Sequence, residues 1–388
     1  MAAATAIARA RAGEQVLLVS IDQAHSLADA LQVRIEHDPG TTSAVQSVQS
    51  NLGPGERSDG SLDVIEIDTH ALLTERYAEV AKMAGGGGHN HNEFAMPDAG
   101  ELVGLPPVQE LLGLSEIATL VGDEEWDVII VDCGPTVDAL NTLTAPERFL
   151  GYLERIWPRH KRVASAISRD VRKVVLVATI ERIADAVSGV RELLADTENT
   201  GVRLVTTPEW VTVAQTSRLR SALALHGLRL DSVIVNKLLP QLDSHETGQA
   251  AQWYANRRSE QMDVVAALER WLPGVPFQTV QHTGPEPVGL SSLGTLAYGI
   301  DWSARAAAPK LTVEKESGDG SDSGYVMRMF LPVVDPSTLS LGRVEDDVIV
   351  GADGARRRIR LAAALRRSVV SGAELDGQYF VVRFRAQQ

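Results

Sequence analysis

The chain has 388 residues, 44% of them hydrophobic and 23% charged, and a formal net charge of −14. This length can bury a substantial core in two domains, or in one large α/β domain with an appendage. The negative balance argues against nucleic acid or an anionic membrane as a general partner. Its single cysteine, Cys133, excludes an intramolecular disulfide and a closed multi-cysteine zinc site. No run approaches the roughly 18 to 20 apolar residues of a spanning helix, and the N-terminus has neither segment of a signal peptide. A cytoplasmic protein is expected, with any membrane contact made through a partner.

Along the first two thirds, short β-branched runs alternate with helical patterns, the signature of a parallel sheet built from βαβ units. The runs predict strands at Gln15–Ser20, Leu62–Ile67, Trp126–Asp132, Lys173–Val177, Val202–Thr206, Ser232–Asn236 and Pro276–Val280. Val128-Ile129-Ile130-Val131 is continuous and apolar, as in a strand buried on both faces. Ile183, Val187, Val190 and Leu194 recur at helical spacing with Glu181, Arg182 and Arg191 on the polar side, so a sheet-covering helix is expected there. Gly85–Asn92 (G-G-G-G-H-N-H-N) reads as a mobile loop. Ser317–Gly324 (S-G-D-G-S-D-S-G) reads as a flexible linker. Beyond it, strands are expected at Tyr325–Val334, Asp347–Gly351, Arg357–Leu361 and Tyr379–Phe384, with hairpin turns at Ala352–Gly354 and Asp376–Gly377.

In an open parallel sheet the ligand lies beyond the carboxyl ends of the strands. Those positions are unusually polar here. The first strand runs into I-D-Q-A-H-S-L-A-D, which carries Asp22, His25, Ser26 and Asp29; the third ends on Asp132, followed by C-G-P-T. Later strands end in T-T-P-E (Thr206–Glu209) and V-N-K (Val235–Lys237). An aspartate closing a buried apolar strand suits Mg²⁺ in a nucleotide site, held directly or through water. Read alone, Asp22 could equally be a helix cap and Asn236 a turn residue.

V-L-L-V-S-I-D-Q-A-H-S-L-A-D-A-L resembles the switch I segment (D-P-A-H-S/N-L-x-D) of the arsenite-pump and tail-anchored-protein-targeting ATPases, the ArsA-type branch of the deviant P-loop NTPases. V-D-C-G-P-T resembles their switch II (D-T/C-A-P-T-G-H-T). V-T-T-P-E, V-I-V-N-K and E-P-V-G-L at Glu286–Leu290 follow in the family's order. The likeness extends over roughly residues 1 to 300, and the C-terminal part resembles the α-crystallin-like module of many bacterial members. It implies ATP and Mg²⁺ as ligands, with Asp22 positioning the attacking water. Asp132 would organise Mg²⁺ and, with Pro135 and Thr136, couple the γ-phosphate to switch II. Asn236, with Lys237 and Pro287, would lie at the adenine base. A homodimer, or a heterodimer with a paralogue, is implied, with a client protein or a membrane protein as a further partner.

Several features depart from the family pattern. Members begin with a strand and a G-K-G-G-V-G-K-T-T type loop that holds the phosphates. Met1–Ala8 matches the helix that should follow it, so the chain is expected to start one residue or so beyond the loop. Without that loop, hydrolysis would be nearly abolished, and two central strands would lose a neighbour. A misplaced start codon or a truncated reading is the favoured account, and a pseudo-ATPase serving as a chaperone-like binding partner is the alternative. Gln23 replaces the switch I proline, and Val137-Asp138 replaces the Gly-His of switch II. One cysteine makes metalloid binding doubtful, and no C-x-x-C pair is present to bridge a dimer.

The remaining signals take bland readings. His89 and His91 are expected to be solvated rather than metal ligands. Val108, Leu111, Leu112, Leu114, Ile117 and Leu120 are expected in a core helix before a client groove. Trp126, Trp157, Trp210, Trp253 and Trp271 are expected to pack singly, and Arg218, Arg220 and Arg356–Arg358 to lie on solvated faces. The expected architecture is therefore a doubly wound α/β ATPase domain over residues 1–305, a linker at 306–323, and a small β-sandwich at 324–388.

Overall fold

The computed structural model describes residues 1–22, 26–35, 46–48, 60–69, 71–74, 108–158, 160–162, 171–243, 245–298, 300–316, 324–332 and 334–386. They divide into two compact units. One comprises Met1–Leu193 with Pro285–Trp302, the other Leu194–Gly284 with Ser303–Gln388.

The first unit opens with α1 (Ala2–Arg11), whose alanines let it lie close on the sheet. After it come β1 (Gln15–Ser20), α2 (Leu27–Leu31), β2 (Gln46–Val48) and β3 (Ser61–Glu66). Next are α3 (Val108–Gly122), β4 (Val128–Asp132), α4 (Thr136–Ile156) and α5 (Val171–Ala195), with α8 (Gly289–Leu296) contributed from late in the chain. The sheet order is β2-β3-β1-β4. β1 runs parallel to both β3 and β4, with Ser20 opposite Glu66 on one side and Asp132 on the other. Ala3, Ile7 and Ala10 of α1 pack with Leu27 and Leu31 of α2 and Leu293 of α8 over Val16, Leu18, Leu62 and Val64. Leu111 of α3, Ala145 of α4 and Val187 of α5 form a separate helical cluster, as expected of a core helix at Leu111–Leu120.

Two expectations fail in this unit. Lys173–Val177 is the first part of α5 and not a strand. A four-residue apolar run fits either state by period, and no glycine or proline separates this one from the helical pattern at Ile183–Leu194. The buried positions Val177, Ala184, Val187 and Val190 keep helical spacing throughout, whereas Ile183 is exposed. β4 is not buried on both faces either. It is the last strand of its sheet among the described residues, paired with β1 alone, and all five of its residues are half-exposed.

The second unit contains a parallel sheet of β5 (Val202–Thr206), β6 (Leu230–Leu238) and β7 (Phe277–Gln281), joined by α6 (Trp210–His226) and α7 (Gln249–Trp271). It continues into antiparallel strands: β8 (Leu311–Lys315), β9 (Tyr325–Phe330), β10 (Ser340–Val344), β11 (Asp347–Ala352), β12 (Ala355–Arg360), β13 (Ser368–Asp376) and β14 (Tyr379–Ala386). They form two sheets, β10-β11-β12 and β13-β14-β9-β8, around a core of Met327, Leu331, Val348, Val350, Val382 and Phe384. The β11–β12 hairpin closes through Asp353 and Gly354, both at positive φ, the pair a two-residue type I′ turn demands. β8 occupies part of the segment read as linker, and pairs with β9. Its half-polar sequence gave little sign of a strand. β10 and β13 were likewise not anticipated.

Leu225 of α6 is fully buried in the sandwich core. Around it, the Ser221 hydroxyl donates to the Pro332 carbonyl (2.9 Å) and Arg357 donates to the Leu225 carbonyl (2.8 Å). Arg220, expected at a solvated surface, is buried and donates to the carbonyls of Trp271 and Pro273, because α6 is covered along most of its girth. Arg357 is half-buried by the same packing, while Arg218, Arg356 and Arg358 are exposed. Trp210, Trp253 and Trp271 are more exposed than side chains packed singly in a core.

Candidate functional site

The register between β1 and β4 builds the site in the first unit. With Ser20 opposite Asp132, the Ile21 amide donates to the Asp132 carbonyl (3.2 Å), and the chain leaves the sheet at Asp22. The Asp22 amide reaches back to the Ser20 hydroxyl (3.3 Å). A Cβ built on Gly134 would lie 3.8 Å from Oδ1 of Asp22, so this carboxylate sits against the Asp132-Cys133-Gly134 turn. Pro135 caps α4 and Thr136 opens it, both exposed.

Asp22 and Asp132 are thereby brought together, and their charges interact. Burial raises the Asp132 carboxyl above its ordinary value. The ammonium of Met1 opposes that shift, and Asp22 adds to it. Burial, then Asp132 and Asp22, pushes the Cys133 thiol up to about 11. A thiol so disposed is neutral at physiological pH and a poor metal ligand. Two carboxylates without a thiolate form a hard oxygen donor set, suited to Mg²⁺ that completes its shell with water and phosphate. No cluster of three or more metal-ligating side chains occurs among the described residues. A cavity of about 330 Å³ opens beside Asp22, lined also by Thr69, Gly113, Pro135 and Asp138.

The other switch I candidates are placed differently. Ser26 is the residue before α2, exposed and without a side-chain capping bond, and Asp29 is exposed on α2. His25 lies outside the described residues, as do Gln23, His89, His91 and the Gly85–Asn92 segment. Pro287 is half-exposed two residues before α8, in the first unit. Asn236 and Lys237 lie on β6, in the second unit. There the β6–β7 pairing shifts register between Val235 and Leu238, and Lys237 has φ 63°.

Two residues the sequence reading passed over stand at this site. Glu66, buried at the end of β3, accepts from the amides of Leu27 and Ala28 (3.0 Å each) and so ties the start of α2 to the sheet. Thr69 is buried at the cavity wall, and its hydroxyl has no hydrogen-bond partner among the described residues. The available signal was V-I-E-I-D, an acidic residue placed in a run that otherwise reads as buried strand.

The chain is similar to known proteins along nearly its whole length. The family described as Anion-transporting ATPase matches residues 1–300, and the HSP20-like domain found in ArsA matches residues 322–384. The chain is 39% identical to the Mycobacterium tuberculosis protein Rv2184c, over 99% of this chain and 92% of that protein. It is 30% identical to the Streptomyces coelicolor protein SCO2128, over 99% of this chain and 93% of that one. The Arabidopsis thaliana ATPase GET3B is 26% identical over 63% of this chain and 62% of its own length. Among the described residues no helix is long and apolar enough to cross a membrane.

Proposed function

The chain belongs to the anion-transporting ATPase family, and on that footing we propose that the protein hydrolyses Mg-ATP when the family's phosphate-binding loop is supplied, with Asp22 and Asp132 as its working carboxylates. The observation that carries this reading is the seating of Asp22 against the Asp132-Cys133-Gly134 turn. Asp22, which lines the cavity, would accept a hydrogen bond from the attacking water and orient it towards the terminal phosphate. Asp132, at the end of β4, would hold Mg²⁺ directly or through water. When bound, the ion supplies charge neutralisation for the departing phosphate. Because Gly134, Pro135 and Thr136 lead straight from Asp132 into α4, a change at the terminal phosphate is felt at the start of that helix. His25, Ser26 and Asp29 belong to switch I in this reading, and Asn236, Lys237 and Pro287 to the base site.

Residues 1–305 supply catalysis in this reading, and residues 324–388, joined through 306–323, supply an interaction surface. The working form is a dimer, of this chain or with a paralogue. Its output is the handover of a client protein or the support of an anion pump, in the cytoplasm.

The test compares wild-type protein from its native cells with Asp22→Asn, by phosphate release and by equilibrium binding of a fluorescent ATP analogue. Hydrolysis should fall about 100-fold or more while affinity stays within a few-fold. An unchanged turnover number sinks the assignment of Asp22. Nucleotide binding without turnover in the wild type supports the chaperone-like binding partner instead.

A further inference from the structure

β6 departs from regular geometry at the point where its ladder should continue. Val235 is opposite Thr279 and Leu238 opposite Gln281, so Asn236 and Lys237 together face the single residue Val280. This is a β-bulge in a parallel pair, where bulges are rare, and such bulges characteristically re-aim a side chain beside a functional site. Lys237 adopts φ 63°, the left-handed region that a lysine seldom enters. Conformations of that kind persist only where the surroundings over-determine them.

The over-determining contacts come from one face of α7. Tyr254 donates its hydroxyl to the Pro240 carbonyl (2.9 Å), and Arg258 donates to the Leu239 carbonyl. Gln261, which is buried, accepts from the Leu239 amide (2.9 Å). At helical spacing these three side chains grip the two residues that follow β6, and the His282 amide grips the Leu238 carbonyl (2.8 Å) from the other side. The bulge is thus pinned immediately after Lys237.

Pinning Lys237 fixes the amide of Asn236. In its left-handed conformation the Lys237 N–H donates to Oδ1 of Asn236 (2.9 Å), which settles which end of that amide is oxygen and which is nitrogen. Oδ1 retains one lone pair, and Nδ2 retains its donors. That edge accepts from the amino group of adenine and donates to its N7, whereas guanine would set its O6 acceptor against Oδ1.

We infer that Tyr254, Arg258 and Gln261 are positioning residues for purine selectivity: by holding the Asn236–Lys237 bulge they fix the Asn236 amide in the orientation that favours adenine over guanine. The inference rests on the nucleotide-binding reading above and extends it to the origin of base choice. The three residues themselves touch no nucleotide.

The experiment measures dissociation constants for Mg-ATP and Mg-GTP by competition against a fluorescent ATP analogue, in wild type, Tyr254→Phe and Gln261→Ala. Native-state amide exchange at Leu239 is followed in parallel. Gln261→Ala should lose protection at Leu239 and reduce the ATP:GTP preference about tenfold, mostly through weaker ATP binding, with turnover of saturated enzyme little changed. Tyr254→Phe removes one hydroxyl with little risk to folding, and should move selectivity in the same direction by less. A selective wild type whose preference survives both substitutions overturns the positioning role. A wild type that binds neither nucleotide overturns the nucleotide reading, and this inference with it.

Discussion

Asp22 and Asp132 stood out in the sequence because each follows an apolar run of strand composition, where a carboxylate needs a reason; the first run is buried in β1, whereas the second is half-exposed in β4. Cys133, between Asp132 and Gly134, gives the environment a second readout. Its thiol is held neutral by burial and by the two neighbouring carboxylates, up to about 11. A thiol whose folded value is raised contributes stability that is fully present below its unfolded value, and loses it as pH rises through the folded one. Without nucleotide or divalent cation, the protein should therefore weaken between roughly pH 8.5 and pH 11 by a component that Cys133→Ser abolishes. At pH 8 about one thiol in a thousand is ionised, so iodoacetamide should label native Cys133 about 100-fold more slowly than in denaturant. Rates within about threefold of each other, measured by intact mass, would show the thiol to be exposed. Glu66 left a weaker sign of the same kind, an acidic residue inside a strand-like run. Thr69 left none, and becomes notable only through its burial beside residues distant in sequence.

At the level of elements, period and composition located most strands to within a residue or two, and failed where they are intrinsically ambiguous. Lys173–Val177 joined α5 because a short β-branched run carries no period of its own. β8 escaped notice because Leu311-Thr312-Val313-Glu314-Lys315 is an edge strand, whose polar positions match a linker's. The contact between Glu66 and α2 belongs to this scale, since it decides where the segment after Asp22 ends. α2 has five residues, too few to hold together unaided, and Glu66 satisfies two amides at its start. Glu66→Ala leaves both without that acceptor in a buried setting, at a cost of about 1–3 kcal/mol, while Glu66→Gln keeps an oxygen in place. Amide exchange at Leu27 and Ala28 should accelerate about tenfold or more in the alanine variant and much less in the glutamine one. Equal behaviour of the two variants would mean that α2 is held by something else.

At the scale of the whole chain, composition alone separated an α/β part from a β part, yet the packing units follow a different division. Residues 194–284 group with 303–388, because α6 has its own sheet on one side and the sandwich on another. Such pairing is invisible to local pattern. Trp210–His226 mixes apolar residues with Thr, Gln, Ser and Arg, and nothing in it announces which of its leucines meets residues more than a hundred positions later. Leu225 is that leucine, fully buried among Met327, Val348 and Phe384, with Ser221 and Arg357 closing hydrogen bonds on either side. If the sandwich were an independent module, shortening Leu225 would disturb only the parallel sheet beneath α6. Because it fills the sandwich core, Leu225→Ala should leave a cavity there and lower stability by about 2–5 kcal/mol. Exchange protection should fall together in α6 and in β9, β11 and β14. Protection lost in α6 but retained across the sandwich would show that the two fold apart, and that the interaction surface proposed for residues 324–388 is not coupled to α6 through this contact.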